Sequence, residues 1–165
     1  MNSCEDGRAD EGAGGLYEEF TKVSASFGFR AWDLKPAEIT ARLGIEPSRA
    51  HARGDKYVGH VDKERMGVRE QPWGVWAIDS EQSIQSTDPQ DHIDYLVQLL
   101  TPKTAEIEAL MGKEDMYVAA WLTVESCELV NSFRLGAQSL ATLAALCHDI
   151  NVLVIAPYEG EGHAA

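Results

Sequence analysis

The residues able to do chemistry concentrate between positions 48 and 72. Cations (Arg49, Arg53, Lys56, Lys63, Arg65, Arg69) outnumber acids (Asp55, Asp62, Glu64, Glu70) there, whereas the whole chain carries a formal charge of −13. The ligand this composition suits is an anion. Arg49, Arg53 and Lys56, with the backbone around Gly54, offer charge-assisted hydrogen bonds to a carboxylate or phosphate. Asp55 supplies an acid beside them. Neither GxxxxGK[ST] nor GxGxxG occurs, so a nucleotide cradle is not supported. His51 and His60 share the stretch with Asp55 and Asp62, but their spacing fits no compact zinc pattern and no cysteine pair joins them. Neither a metal nor any other cofactor is expected. The plainer reading is a solvated charge run, because exposed charges need no special role.

Two other groups resemble active-site chemistry on paper. Cys147-His148-Asp149 has the residue types of a nucleophilic relay. Consecutive helical residues point in different directions, so a core cysteine beside a polar helix end is the better reading. Glu125 and Glu128 would make a carboxylate pair, but nothing fixes their separation, and a solvated hairpin suits them better. Trp73, Trp76 and Trp121 read first as sheet packing. Were helices to cover one sheet face only, Trp76 or Trp121 would be left as an exposed binding surface. The candidate partner- or ligand-binding residues are therefore Arg49, Arg53, Asp55, Lys56, Trp76 and Trp121, with no catalytic set.

The elements that would position these residues are legible in the periodicity. Val23, Ala25, Phe27 and Phe29 alternate with polar or small residues, as in a half-buried strand. Pro36 opens a helix with Ile39 and Leu43 inward, and Gly44 closes it. Residues 48–72 read as a long polar loop, with an irregular strand conceivable near Lys56 to Val61. A strand from Trp73 to Ile78 follows. Thr87-Asp88-Pro89 starts a helix whose Ile93, Leu96, Val97 and Leu100 share one face; Thr101-Pro102 begins a new helix or re-aims this one, with Ile107, Leu110 and Met111 continuing the apolar face to Gly112. His92 is placed on its polar flank. Strands are predicted at Met116–Val124 and Asn131–Leu135, a helix over Gln138–Cys147, and a buried final strand at Val152–Ile155.

This order predicts an α+β fold: a mixed sheet with helices mainly on one face. From the second strand onward it reads β-α-β-β-α-β, a ferredoxin-like core extended by an N-terminal strand and helix. One domain spans residues 19–157, between an acidic, glycine-rich tail (1–18) read as disordered and a flexible end (158–165). The start of the sequence has no signal-peptide pattern, and no run is long and apolar enough for a membrane span. Three scattered cysteines suit a reducing, cytoplasmic compartment. Strong acidity argues against nucleic-acid binding, since the phosphate backbone would be repelled.

Three places together resemble a bacterial family of unknown function, DUF4279. They are the helix and turn from Pro36-Ala37-Glu38-Ile39-Thr40 through Leu43-Gly44-Ile45-Glu46-Pro47-Ser48 to Gly54-Asp55, the strand Trp73-Gly74-Val75-Trp76, and the late Phe133-Arg134-Leu135 with its leucine helix and closing strand. They span roughly residues 24 to 156. Gly136-Ala137 stands where such families commonly have a serine-proline helix start. The resemblance implies a fold and a bacterial origin, and brings no activity or catalytic residues. The functional expectation is a non-catalytic module that binds another protein, of immunity or adaptor type. The alternative is a small-molecule or anion-binding protein, or an enzyme, built on loop 48–72.

Overall fold

The computed structural model describes residues 20–60, 65–126 and 132–156. The tail at 1–18, the segment 158–165, Glu128, and Asp62, Lys63 and Glu64 of the charged stretch lie outside them. The elements run β1 (Phe20–Ala31), α1 (Pro36–Leu43), β2 (Arg49–His51), β3 (Lys56–His60), β4 (Met66–Glu70), β5 (Gly74–Asp79), α2 (Pro89–Leu100), α3 (Thr104–Met111), β6 (Tyr117–Ser126), α4 (Ala137–Ala144) and β7 (Asp149–Ile155). Short 3-10 turns follow β5 and α2. β2-β5-β1-β6-β7 form one mixed sheet: β6 and β7 are parallel and the other neighbours antiparallel. β3 and β4 pair separately as a two-stranded ribbon. No helix among the described residues is long and apolar enough to cross a membrane.

Local signals act as their chemistry dictates. Pro36 stands in the first turn of α1, and Gly44 caps it in the left-handed region at φ 62°, its N–H donating to the Thr40 carbonyl. The Asp88 carboxylate accepts the Gln90 N–H at 2.9 Å, ahead of Pro89, and so starts α2. The helices all serve one face of the sheet. Phe27 and Phe29 of β1, Trp76 and Ile78 of β5, and Leu122 of β6 meet Leu43, Leu96, Leu100, Ile107 and Leu143 in a single core. At Gly74 the Leu34 carbonyl occupies the place of a side chain, so α1's lead-in lies directly on β5.

Four expectations need correction. The ferredoxin-like β-α-β-β-α-β core is not what the described residues form, because 132–135 carry no strand. Phe133 turns instead against Phe20, ring centres 5.9 Å apart, and the Gly136 N–H is taken by the Gln90 side chain at 2.6 Å. These contacts replace ladder pairing. The supposed loop 48–72 is mostly strand: β2 joins the sheet edge, and β3–β4 form the ribbon. His92 is not solvated; it is fully buried on the inner side of α2, four residues before Leu96. Its Nε2 meets the Ser86 carbonyl at 2.8 Å and its Nδ1 the Ser80 hydroxyl at 2.7 Å, and that hydroxyl accepts the Ala25 N–H at 2.8 Å. Finally, β7 is the edge strand of the sheet among the described residues, and Val152 to Ile155, expected to be buried, are all exposed.

Candidate functional site

Because the described helices cover one face, the other face of the sheet is open among the described residues. Register fixes which side chains it carries. One row across it runs Arg49, Ala77, Gly28, Ala119, Asp149; the next runs Asp79, Ser26, Trp121, Asn151. The floor is thus small-residue backbone, with Trp121 rising from it at 37% exposure. At one end Arg30 lies between aromatic rings, its guanidinium 4.8 Å from Trp73 and 4.9 Å from Tyr117. The Tyr117 hydroxyl donates to Asp149 at 2.8 Å, and that hydrogen bond pushes the phenol's pKa up.

At the β2 end a shallow depression of about 460 Å³ is lined by Ser26, Ser48, Arg49, Ala77, Asp79 and Glu81, among others. Several of its polar groups are committed. The Ser48 hydroxyl accepts the Asp79 N–H at 2.9 Å, and Glu81 pairs with Lys22 at 2.8 Å, which raises the lysine's pKa. The Arg49 guanidinium is the cation facing this space.

The six residues singled out in the sequence separate. Arg49 and Trp121 share the open face, in adjacent rows but with the two strands β5 and β1 between them. Trp76 does not: it is 0% exposed on the helix side, edge-on to Phe29, with its indole N–H donating to Thr40 Oγ1 at 3.0 Å. Alternation was right in opposing Trp76 to Val75 and Ala77; only α1's position makes its face the covered one. Arg53 stacks on Trp32 at 3.8 Å and lies 3.5 Å from Asp33, beside the sheet rather than on it. Asp55 shapes the turn into the ribbon: its carboxylate accepts the Ala52 N–H at 2.7 Å, Gly54 takes φ 84°, and the pair Gly54 and Asp55 exchange backbone hydrogen bonds with Gln71. Lys56 opens β3 opposite Glu70.

The irregular strand conceivable near Lys56 to Val61 corresponds to β3, whereas its partner β4, and with it the ribbon, has no counterpart among the sequence expectations. Val58 pairs with Val68, and both are 68% exposed; His60 pairs with Met66, which is also exposed. On its other side Tyr57 folds over Gly59, and Arg69 donates to the His60 carbonyl at 2.9 Å. The signal was present as Tyr57-Val58-Gly59 and Met66-Gly67-Val68, short alternating runs diluted by charge.

The other chemical candidates do not converge. The Cys147 thiol faces the Leu143 carbonyl at 3.2 Å, and burial pushes its pKa up. His148 Nδ1 accepts the Val118 N–H, while Asp149 takes the Tyr117 hydroxyl. Among the described residues no three His, Cys, Asp or Glu side chains form a metal-sized cluster.

His51, on β2 beside Arg49, has a buried Nε2 that meets no hydrogen-bond partner among the described residues. Burial lowers its pKa from the ordinary 6.5, Arg49 adds to this, and Asp55 opposes it. The folded state therefore disfavours the imidazolium. Its contribution to stability is complete above the unfolded pKa and is lost as pH falls through the folded one. His51→Gln should lose less stability than the wild type between about pH 7 and about pH 5, in paired denaturant titrations. Equal losses would mean that His51 titrates as a solvated group.

No curated protein and no solved structure matches the chain. A family model, described as a domain of unknown function, matches residues 20–156, most of the sequence. The match takes in β1 through β7, so the open face, the depression and the ribbon all lie within it, and the chain belongs to the DUF4279 family.

Proposed function

We propose that this chain is a non-catalytic bacterial module of the cytoplasm that binds another protein, with the β3–β4 ribbon as the main contact. The observation that carries this is the pair Val58–Val68, both 68% exposed on a ribbon in which, among the described residues, β3 and β4 pair with each other alone. A lone two-stranded ribbon is marginal in water, and apolar side chains at its centre gain by being covered. Lys56 on the ribbon, with Arg49 and Arg53 just before it in the sequence, brings positive charge to an otherwise acidic chain. The partner's complementary surface is an apolar patch with an acidic rim, so its approach is steered by charge and its affinity comes from the apolar centre.

The test compares wild type with a Val58→Ser/Val68→Ser variant in quantitative capture from a bacterial host. One or a few proteins should be retained by the wild type and lost by the variant, while both melt at similar temperatures. With that protein purified, the Arg49→Ala/Arg53→Ala/Lys56→Ala triple variant should bind more weakly, most clearly at low salt. Identical retention by wild type and variant would remove the ribbon from the contact. The alternative, an anion held by Arg49 in the open depression, rests on that single guanidinium; a shift in melting temperature with inorganic phosphate, abolished by Arg49→Ala, would favour it.

A further inference from the structure

At the opposite end of the sheet, β7 has the sequence of an interior strand in an edge position. Asn151-Val152-Leu153-Val154-Ile155 is a nearly continuous apolar run, as found where both faces of a strand are covered. Here neither is. Val152 and Val154 point to the helix side, in register with Leu122 and Val124, yet are 51% and 49% exposed. Leu153 and Ile155 point to the open side and are 54% and 44% exposed. Among the described residues no strand pairs with β7's outer edge. The devices that normally blunt such an edge are missing: the strand has no proline, no lysine and no shift in its seven paired positions.

The neighbouring helix makes the same impression. α4 has no charged residue, and Ala137, Ala141 and Ala144 face solvent, as does Ala145 just beyond it. A charge-free helix beside a strand whose one charge stands at its start is unusual in a chain of which 25% of residues are charged. Interface centres are depleted of charge in this way.

We infer that a second copy of this chain covers this surface, by antiparallel pairing of β7 with its counterpart across a twofold axis normal to the sheet. Charge selects this occupant. Two copies at −13 repel each other over most of their surfaces. The β7–α4 patch is where they can meet without facing like charges. The one charge on β7, Asp149, stands at its beginning. Antiparallel pairing sends the two Asp149 side chains to opposite ends of the ladder, whereas parallel pairing would set them side by side. A basic protein drawn to the acidic remainder of the chain would find no acidic cluster to hold on this patch.

The geometry also closes. A twofold normal to the sheet keeps both helix layers on the same side, so each α4 lies beside the seam. Its alanines allow close approach, and they would cover the Val152 and Val154 that α4 of the same copy leaves open. The contact is isologous, so both unpaired edges are consumed at once and no filament grows. The two ribbons then stand at the far ends of one continuous sheet, which would present the proposed partner site twice.

Sedimentation equilibrium and light scattering on the full chain test this directly. The wild type should be a dimer at micromolar concentration, with slow amide exchange throughout 149–155. Leu153→Lys should abolish the dimer, since each substitution enters twice. Ala144→Arg should do the same from the helix surface, where arginine keeps good helix propensity, so loss of the dimer is separable from loss of the fold. Val68→Lys, on the distant ribbon, should remain dimeric even though it impairs the proposed partner contact. A monomeric wild type overturns the inference. In that case protected β7 amides would assign the edge to another segment of the same chain, and unprotected ones would leave it to a different protein. A dimer untouched by both Leu153→Lys and Ala144→Arg overturns it as well.

Discussion

Trp76→Ala will lower the free energy of unfolding by about 3–5 kcal/mol, the range for deleting a buried large aromatic. The ring has no exposure, lies 5.6 Å from Phe29 and reaches from β5 to Thr40 of α1 through its indole N–H. Its loss removes apolar burial, leaves a cavity under α1 and strips the Thr40 hydroxyl of a partner. Trp76→Phe should keep most of the packing and forfeit chiefly the hydrogen bond, about 1 kcal/mol. Urea titration of the three proteins measures both differences, provided the m-values agree. A cost below about 0.5 kcal/mol for the alanine variant would be surface-like behaviour and would return Trp76 to the list of binding candidates.

His92→Ala should be comparably damaging, by about 3–5 kcal/mol, but for a different reason. His92 and Ser80 are both fully buried, and they form one chain from the Ala25 N–H through the Ser80 hydroxyl and the imidazole to the Ser86 carbonyl. The carbonyl can only accept, so Nε2 carries a proton. In the neutral ring Nδ1 is then the acceptor, so the serine hydroxyl donates to it while accepting from Ala25. Removing the ring orphans that hydroxyl and the Ser86 carbonyl and opens a void between α2 and β1. A serine hydrogen-bonded to a histidine suggests a nucleophile and its base, but no substrate reaches a pair with no exposed surface. Ser80→Ala should share most of its cost with His92→Ala, so the double variant should be far less destabilised than the sum. Additive costs would show that the two residues act separately.

Much of this architecture was legible in the residue order. Period-two alternation around Phe27 and Phe29 gave β1 and its inward face. Pro36, Gly44 and Asp88-Pro89 gave helix ends, because these residues restrict their own backbone whatever surrounds them. Such signals are local, and a chain carries them before it folds. The short alternation in Tyr57-Val58-Gly59 and Met66-Gly67-Val68 was local too, but each run is too brief and too charged to outweigh its polar neighbours.

What the tertiary structure alone decided was neighbourhood. Alternation placed Trp76 opposite Val75 and Ala77, and Trp121 opposite Ala120 and Leu122, but it cannot say which face a helix will cover. α1 covers the face of Trp76, while no described helix covers that of Trp121. His92 looked polar by residue type, and its burial depended on Ser80, twelve residues earlier, arriving within 2.7 Å. Val152 to Ile155 looked buried because apolar runs usually are. They stand exposed because β6 takes the inner side of β7 and no described strand takes the outer. A side chain's identity sets what its burial is worth; long-range pairing of strands and helices sets whether it is buried at all.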